Sequence, residues 1–252
     1  MLFGSCICNL LLVIGITSVI RPVKVENRII KRHIPIGLAA MVFLLFISNL
    51  YSDGVNSIIY RWQGILLLLF ALWYIMYTIY EERKMKDKQY DEEIIEEVKT
   101  KESKAKSIIT NLAYFILGIL GLRFGSEFVV DNAVIIAEKL GLSEQFIGIT
   151  IISIGTSLPE IITGITVARK GNTDIILGNI IGSNILNLCL LVGIGSIISP
   201  IIYEVSFNSS VLFLIAMTMF IQLLMNKDNQ VSRKNGIVLI IIYIFYIIFV
   251  AK

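Results

Sequence analysis

The chain has 252 residues, of which 56% are hydrophobic and 16% are charged, and its mean hydropathy is +0.81. An ordinary soluble domain with this composition would expose large apolar patches, so the composition excludes that class and predicts an all-α polytopic membrane protein. The net charge of +3 carries little information, because the placement of Lys and Arg governs membrane topology more than their sum does. We expect a lipid bilayer as the surroundings and no nucleic-acid partner.

Apolar runs of about twenty residues cross a bilayer as helices, and the sequence contains eight such runs. They lie at 2–20, 34–51, 62–80, 107–122, 146–168, 174–198, 209–225 and 236–251. The fourth run is expected to continue as a helix to Leu140. The first run lacks a basic start and a cleavage site, so it is interpreted as a retained helix rather than a signal peptide. The three cysteines all lie in apolar runs, where a structural role is favoured over metal or disulfide chemistry.

The basic residues are distributed unevenly between the two sides of the membrane. When the eight spans alternate in direction, most of the 22 Lys and Arg residues fall on one side, which is therefore predicted to be cytoplasmic. The segment 81–106 mixes acids and bases and is interpreted as a cytoplasmic loop or surface helix between two membrane units, 1–80 and 107–252. The protein is thus expected in the cell membrane with an extracytoplasmic C-terminus.

The two units contain a repeat at an offset of 178 residues. Residues 4–22 align with residues 182–200, and eleven of the nineteen aligned positions are identical, including Gly, Ser, Asn and Pro positions. The first copy ends at a basic loop, whereas the second copy begins at one, so the two copies are predicted to run antiparallel across the membrane. Inverted repeats of this kind are typical of secondary transporters, in which the ion site lies where the repeats meet.

A polar motif, Gly-Thr-Ser-Leu-Pro-Glu at 155–160, lies inside the fifth apolar run. An ionised residue at the bilayer centre costs about 2.5–3.5 kcal/mol, so Glu160 is interpreted as a functional residue. Pro159 cannot donate to the carbonyl of Gly155, which leaves that oxygen free at the depth of the carboxylate. Side chains at three- and four-residue spacing place further oxygens on the same helix face: Ser153, Thr156, Ser157, Glu160 and Thr163.

The next apolar run carries a second polar group, formed by Ser183 and Asn187 with Asn179 and Asn184 beside them. Carboxylate, hydroxyl, amide and carbonyl oxygens suit Na⁺ or Ca²⁺, whereas zinc or copper would favour histidine or thiolate. The only histidine, His33, is expected at a cytoplasmic helix edge. A structural alternative exists for the hydroxyls and amides, because Ser and Thr often bond to their own helix and Asn can hold helices together.

Three segments together resemble the second α-repeat of sodium/calcium exchangers, which belong to the calcium/cation antiporter superfamily: 148–150, 155–160 and 177–187. The resemblance implies an antiporter with a ten-helix inverted-repeat fold, of which this chain holds about eight helices. It implies Thr156, Ser157 and Glu160 as ion ligands from one helix and Ser183 and Asn187 from the next, with Ser5 and Asn9 as first-repeat counterparts. The free carbonyl of Gly155 completes this set.

The resemblance further implies alternating-access exchange of Ca²⁺ for a monovalent cation such as Na⁺, with no cofactor and no enzymatic activity. Some relatives carry Asp at the position of Asn187, so coupling to H⁺ and involvement of K⁺ stay open. The offset would place a first-repeat copy of Glu160 before Met1. We therefore expect a chain truncated within the first repeat, which does not exchange Ca²⁺ unless a missing N-terminal half or a partner chain completes it.

Two other functions remain as alternatives from the sequence. A membrane scaffold or subunit that does not itself transport ions could complement a partner half, and it predicts that Glu160→Gln is harmless. An intramembrane hydrolase would need a base beside its nucleophile, and no His or Lys lies within the spans near Ser157 or Ser183.

Overall fold

The computed structural model describes residues 2–93, 104–141, 147–225 and 229–250. The helices are α1 (Leu2–Ile20), α2 (Ile29–Ser48), α3 (Arg61–Glu93), α4 (Lys104–Lys139), α5 (Thr150–Thr156), α6 (Leu158–Lys170), α7 (Asp174–Ile198), α8 (Phe207–Met225) and α9 (Arg233–Val250). The strands are β1 (Val23–Lys24), β2 (Asn56–Ile59), β3 (Ile201–Glu204) and β4 (Gln230–Val231). The predicted all-α class is confirmed, with four short strands added at the helix ends.

Within the described ranges, five helices are long and apolar enough to cross a membrane, or six if the bent pair α5 and α6 counts as one span. Of the remaining two predicted spans, 107–122 lies in α4, and 236–251 overlaps α9 as far as Val250, the last described residue. The expected extension of the fourth span is confirmed, because α4 ends at Lys139. Helix α3 continues through Glu93, so the first half of the polar segment 81–106 is helical, while residues 94–103 lie outside the described residues.

The four strands form two separate antiparallel sheets, and each sheet joins one repeat to the other. Strand β1 pairs with β4, and β2 pairs with β3. Helix α2 therefore runs from the first sheet to the second, whereas α8 runs from the second sheet to the first. Because α1 ends at the first sheet and α7 ends at the second, these two helices also run in opposite directions. The inverted repeat predicted from the sequence is confirmed.

Asparagine pairs at the ends of α2 and α8 follow the same symmetry. Asn49 and Asn208 exchange two amide hydrogen bonds of 2.9 and 2.8 Å at the end of the molecule that carries the β2–β3 sheet. Asn229 donates to Asn27 over 3.2 Å at the opposite end, beside the β1–β4 sheet. The two long helices are thus joined at both ends by side chains as well as by strands.

Small residues allow the helices of the two repeats to approach closely, which is typical of helix packing in membranes. Helix α1 packs against α9, and its repeat equivalent α7 packs against α3. A Cβ atom at Gly236 of α9 would lie 2.8 Å from the carbonyl oxygen of Gly15 in α1. A Cβ atom at Gly193 of α7 would lie 3.0 Å from the carbonyl oxygen of Gly64 in α3. Gly15 and Gly193 are equivalent positions at the repeat offset of 178 residues.

His33 lies near the start of α2, as expected, but it is buried rather than placed at an exposed edge. Its Nδ1 lies 3.1 Å from the hydroxyl of Tyr74, and its Nε2 lies 3.0 Å from a carboxylate oxygen of Glu81. Helix α2 also begins five residues before the predicted apolar span, at Ile29. Its first turns contain basic residues, which hydropathy alone does not assign to a helix.

Candidate functional site

The polar motif at 155–160 lies at a break between two helices. Helices α5 and α6 meet at Ser157 with a bend of 49°. Pro159 occupies the first turn of α6, where its missing N–H removes no hydrogen bond, because N–H groups of a first helical turn have no acceptor within the helix. The kink predicted from Pro159 is confirmed, and Glu160 lies directly after it in the first turn of α6.

The two repeat-related helices carry π-helical turns at equivalent positions. In α1 the π-helical turn covers Asn9–Val13, and in α7 it covers Leu186–Leu191. Asn9 and Asn187, the two candidate amide ligands, lie at or beside the start of these turns. Wider turns of this kind are rare in proteins and are frequently found at functional sites. Apart from the two asparagines, these turns contain only apolar residues and a cysteine, so the local sequence does not indicate the change of helix type.

Hydroxyl groups from α1 and α7 meet the break between α5 and α6. The Oγ atoms of Ser5 and Ser157 lie 3.1 Å apart, and Ser157 Oγ is also 3.4 Å from the carbonyl oxygen of Ser5. Ser183 Oγ lies 3.5 Å from Oε1 of Glu160. The structure therefore brings together four of the predicted site residues, which come from α1, from the break between α5 and α6, from α6 and from α7.

The neighbours of two cysteine side chains place a further candidate, Asn187, beside the same stretch of α1. The Cys6 thiol lies beside the side chain of Asn187 and within electrostatic range of Glu160. The Cys8 thiol lies beside the hydroxyl of Ser157. Both cysteines are buried, and in the described part of the chain neither forms a disulfide.

Two of the candidate ligands have a buried oxygen atom without a hydrogen-bond partner among the described residues. These atoms are Oε2 of Glu160 and Oδ1 of Asn9. Asn9 is 0% exposed. A buried acceptor without a partner costs about 1–3 kcal/mol, so a fold retains such an atom at a cost unless something binds it. Carboxylate and amide oxygens are ligands that hard cations prefer.

Thr156 and Gly155 are not brought into this group of contacts. The Thr156 hydroxyl donates back to the carbonyl oxygen of Ser153 over 3.0 Å, and the residue is exposed. Thr156 thus follows the structural alternative, in which a hydroxyl bonds to its own helix. Ser157 instead contacts another helix. Gly155 is buried against Val130 of α4, where a larger side chain would collide. Ligation by Thr156 or by the Gly155 carbonyl stays a prediction.

A cavity of about 260 Å³ lies beside Glu160 and extends between α6 and α7. Thr163 and Asn179 line it together with Glu160.

Asn184 makes a contact that the sequence did not suggest, because its spacing marks it only as a flanking polar residue. It is buried, and its Nδ2 donates to the carbonyl oxygen of Cys6 over 3.1 Å.

The inverted-repeat fold and the buried oxygen-rich site where its repeats meet are the features of a secondary membrane transporter. A family model described as sodium/calcium exchanger protein matches residues 1–80 and 110–252, and the chain therefore belongs to the sodium/calcium exchanger family.

Individual relatives and solved structures agree with this family. The chain is 30% identical over 244 residues to an uncharacterized membrane protein of Methanocaldococcus jannaschii, covering 97% of this chain and 73% of the relative. It is 32% identical over 247 residues to the putative antiporter CaxA of Alkalimonas amylolytica, covering 96% and 75%. The structure of the sodium-calcium exchanger NCX_Mj soaked with 10 mM Na⁺ and zero Ca²⁺ is similar over 98% of this chain and 75% of that chain, with a TM-score of 0.74 and 28% identity.

Proposed function

We propose that this chain forms a cation site of a calcium antiporter that uses Na⁺ as its coupling ion. The observation that carries this proposal is the buried, unpartnered Oε2 of Glu160, at the helix break where α1 and α7 also present hydroxyl groups. Two of its relatives are named a putative antiporter and a sodium/calcium exchanger, which is consistent with this activity. The proposed ligands are Ser5, Asn9, Gly155, Thr156, Ser157, Glu160, Ser183 and Asn187.

Competition for one carboxylate supplies the exchange mechanism. Na⁺ and Ca²⁺ both require ionised or polar oxygens, so each cation bound at Glu160 excludes the other. In alternating access, the repeats rearrange around a fixed central site, which is then open to one side of the membrane at a time. The break at Ser157 places Glu160 in the first turn of α6, close to the end of α5.

The charge of the site limits which cation it can hold. The motif at 155–160 occurs once in the 252 residues, and Glu160 is the one carboxylate among the proposed ligands. Ca²⁺ normally takes six to eight oxygens, including carboxylates that compensate its charge. We therefore propose that these 252 residues by themselves bind a monovalent cation and do not exchange Ca²⁺, and that a second carboxylate from another helix completes the site.

The repeat symmetry indicates where a helix with the second carboxylate would pack. Helix α6 of the second repeat covers α1 of the first repeat, and a Cβ atom at Gly164 would lie 3.3 Å from Val13 of α1. The equivalent residue of the second repeat, Leu191, is 53% exposed. A cavity of about 570 Å³ follows α7 from Asp174 to Asn187. A helix related to α6 by symmetry would lie along this face of α7 and would place its carboxylate opposite Glu160.

Binding of ²²Na⁺ to the purified chain tests the role of Glu160. Glu160→Gln keeps the size of the side chain but removes its charge, and we expect Na⁺ affinity to fall at least about 100-fold. Leaving a buried charge without its partner costs about 3 kcal/mol or more, and every 1.4 kcal/mol is tenfold in affinity. Glu204→Gln is the matched control, because Glu204 is an exposed carboxylate on β3.

Two results would contradict this proposal. Unchanged Na⁺ binding by Glu160→Gln would show that the cation site is elsewhere. Rapid ⁴⁵Ca²⁺ uptake into Na⁺-loaded proteoliposomes that contain only the 252-residue chain would show that one carboxylate is sufficient for exchange.

A further inference from the structure

A buried amide connects α7 to α1 beside the proposed cation site. Nδ2 of Asn184 donates to the carbonyl oxygen of Cys6 over 3.1 Å. Oδ1 of Asn184 lies 3.5 Å from Nδ2 of Asn9. Asn9 and Asn184 are both 0% exposed, so water does not compete for these groups. The contacts therefore link the carbonyl of Cys6, through Asn184, to the side chain of Asn9.

The contact between Asn184 and Cys6 determines the orientation of both amides. A backbone carbonyl can only accept a hydrogen bond, so Asn184 must turn its nitrogen toward Cys6. The oxygen of Asn184 then faces Asn9, and it too can only accept. Asn9 must in turn present its nitrogen, because the opposite orientation would place two carbonyl oxygens against each other. The Oδ1 of Asn9 consequently points away from Asn184, and in the described part of the chain it has no partner.

We propose that Asn184 is a positioning residue that holds the Oδ1 of Asn9 toward the bound cation. This inference rests on the proposed function and adds a residue that does not itself touch the ion. Both polar atoms of the Asn184 side chain are occupied by Cys6 and Asn9. Asn184 therefore acts through Asn9.

The repeat alignment shows that an amide orients the candidate asparagine ligand in one repeat only. At the offset of 178 residues, Asn184 corresponds to Cys6, and Asn9 corresponds to Asn187. The Cys6 thiol lies beside Asn187, but a thiol is a weak hydrogen-bond donor and a weak acceptor. The orientation of Asn9 is thus fixed by an amide, whereas that of Asn187 is not. The two symmetry-related ligands consequently depend on different neighbours.

Replacement of Asn184 should weaken cation binding without removing the site. Asn184→Leu keeps a similar volume but frees the Asn9 amide to rotate and turn its nitrogen toward the cation. We expect the Kd for ²²Na⁺ to rise about tenfold, equivalent to about 1.4 kcal/mol, with an unchanged number of sites per chain. Asn184→Ser, which is smaller and still polar, provides a second test if the leucine variant folds poorly. Asn132→Leu is the control, because Asn132 is an exposed amide on α4 that donates to the carbonyl of Phe128 in its own helix.

A double-mutant cycle separates positioning from a general structural effect. If Asn184 acts through Asn9, Asn184→Leu should cause no further loss of affinity in an Asn9→Ala background. An unchanged Kd in the single variants, or losses that add fully in the double variant, would overturn this inference. Loss of binding in Glu160→Gln, with neutral Asn184 variants, would overturn only the positioning role. Normal binding in Glu160→Gln would overturn the proposed function itself.

Discussion

Replacement of Gly193 by alanine should destabilise the protein, because α7 and α3 contact each other through their backbones at this position. An added Cβ atom would lie 2.9 Å from the nitrogen of Leu68 and 3.0 Å from the carbonyl oxygen of Gly64. These are backbone atoms, which cannot rotate away as a flexible side chain can, so α3 must shift as a whole. An extra methyl group in a close-packed contact costs about 1–3 kcal/mol, and the better helix propensity of alanine offsets up to about 1 kcal/mol.

The expected net loss for Gly193→Ala is therefore about 1–2 kcal/mol. At about 2–4 °C per kcal/mol for a chain of this size, Tm should fall by about 2–8 °C. Thermal unfolding in detergent can be followed by tryptophan fluorescence, because the two tryptophans of the chain, Trp62 and Trp73, both lie on α3. The fluorescence then reports on the helix that the substitution displaces.

Gly121→Ala on α4 is the matched control for this experiment. An added Cβ atom there meets no described atom within 4 Å, so only the gain in helix propensity remains. Its Tm should equal or exceed that of the unmodified chain. The packing argument would be refuted if Gly193→Ala unfolded at or above the temperature of the unmodified chain, or if both variants lost the same stability.

Two further substitutions test the connections between elements. Gly171 ends α6 with a φ of 92°, a left-handed conformation that costs other residues about 1–2 kcal/mol, so Gly171→Ala should lower Tm by about 2–8 °C in the same assay. Asn49→Ala removes both amide bonds to Asn208 and should cost about 1–3 kcal/mol in the free energy of unfolding. Asn27→Ala removes a single, exposed bond to Asn229 and should cost less. Equal losses of stability in the two asparagine variants would contradict the expectation that the Asn49–Asn208 pair contributes more.

Local sequence was sufficient to predict the features that depend on a single helix. Membrane spans follow from hydropathy over about twenty residues, and the break before Pro159 follows from the geometry of proline. The inverted repeat also follows from sequence, because the two copies retain the same residues while the basic loops lie at opposite ends. Glu160 could be selected because a carboxylate in an apolar span is costly wherever it lies.

The sequence could not rank neighbouring residues of similar chemistry. Thr156 and Ser157 are adjacent hydroxyl residues in one motif, yet Thr156 bonds back to its own helix and Ser157 reaches Ser5. Adjacent residues of a helix point about 100° apart around its axis, so at most one of these two hydroxyls can face α1 directly, and the packing of the helices decides which one does. The spacing of residues along the sequence does not indicate which helix will pack against Thr156 or Ser157.

The sequence by itself thus determined the membrane class, the repeat and the region of the proposed cation site. Only the tertiary structure decided the contacts between distant segments: the sheets that join the repeats, the π-helical turns, and the link from Cys6 through Asn184 to Asn9. Hydropathy and backbone geometry act within a few helical turns, so they are visible in a local stretch of sequence. Hydrogen bonds between helices depend on how distant segments pack, and for that reason they become visible only in the folded chain.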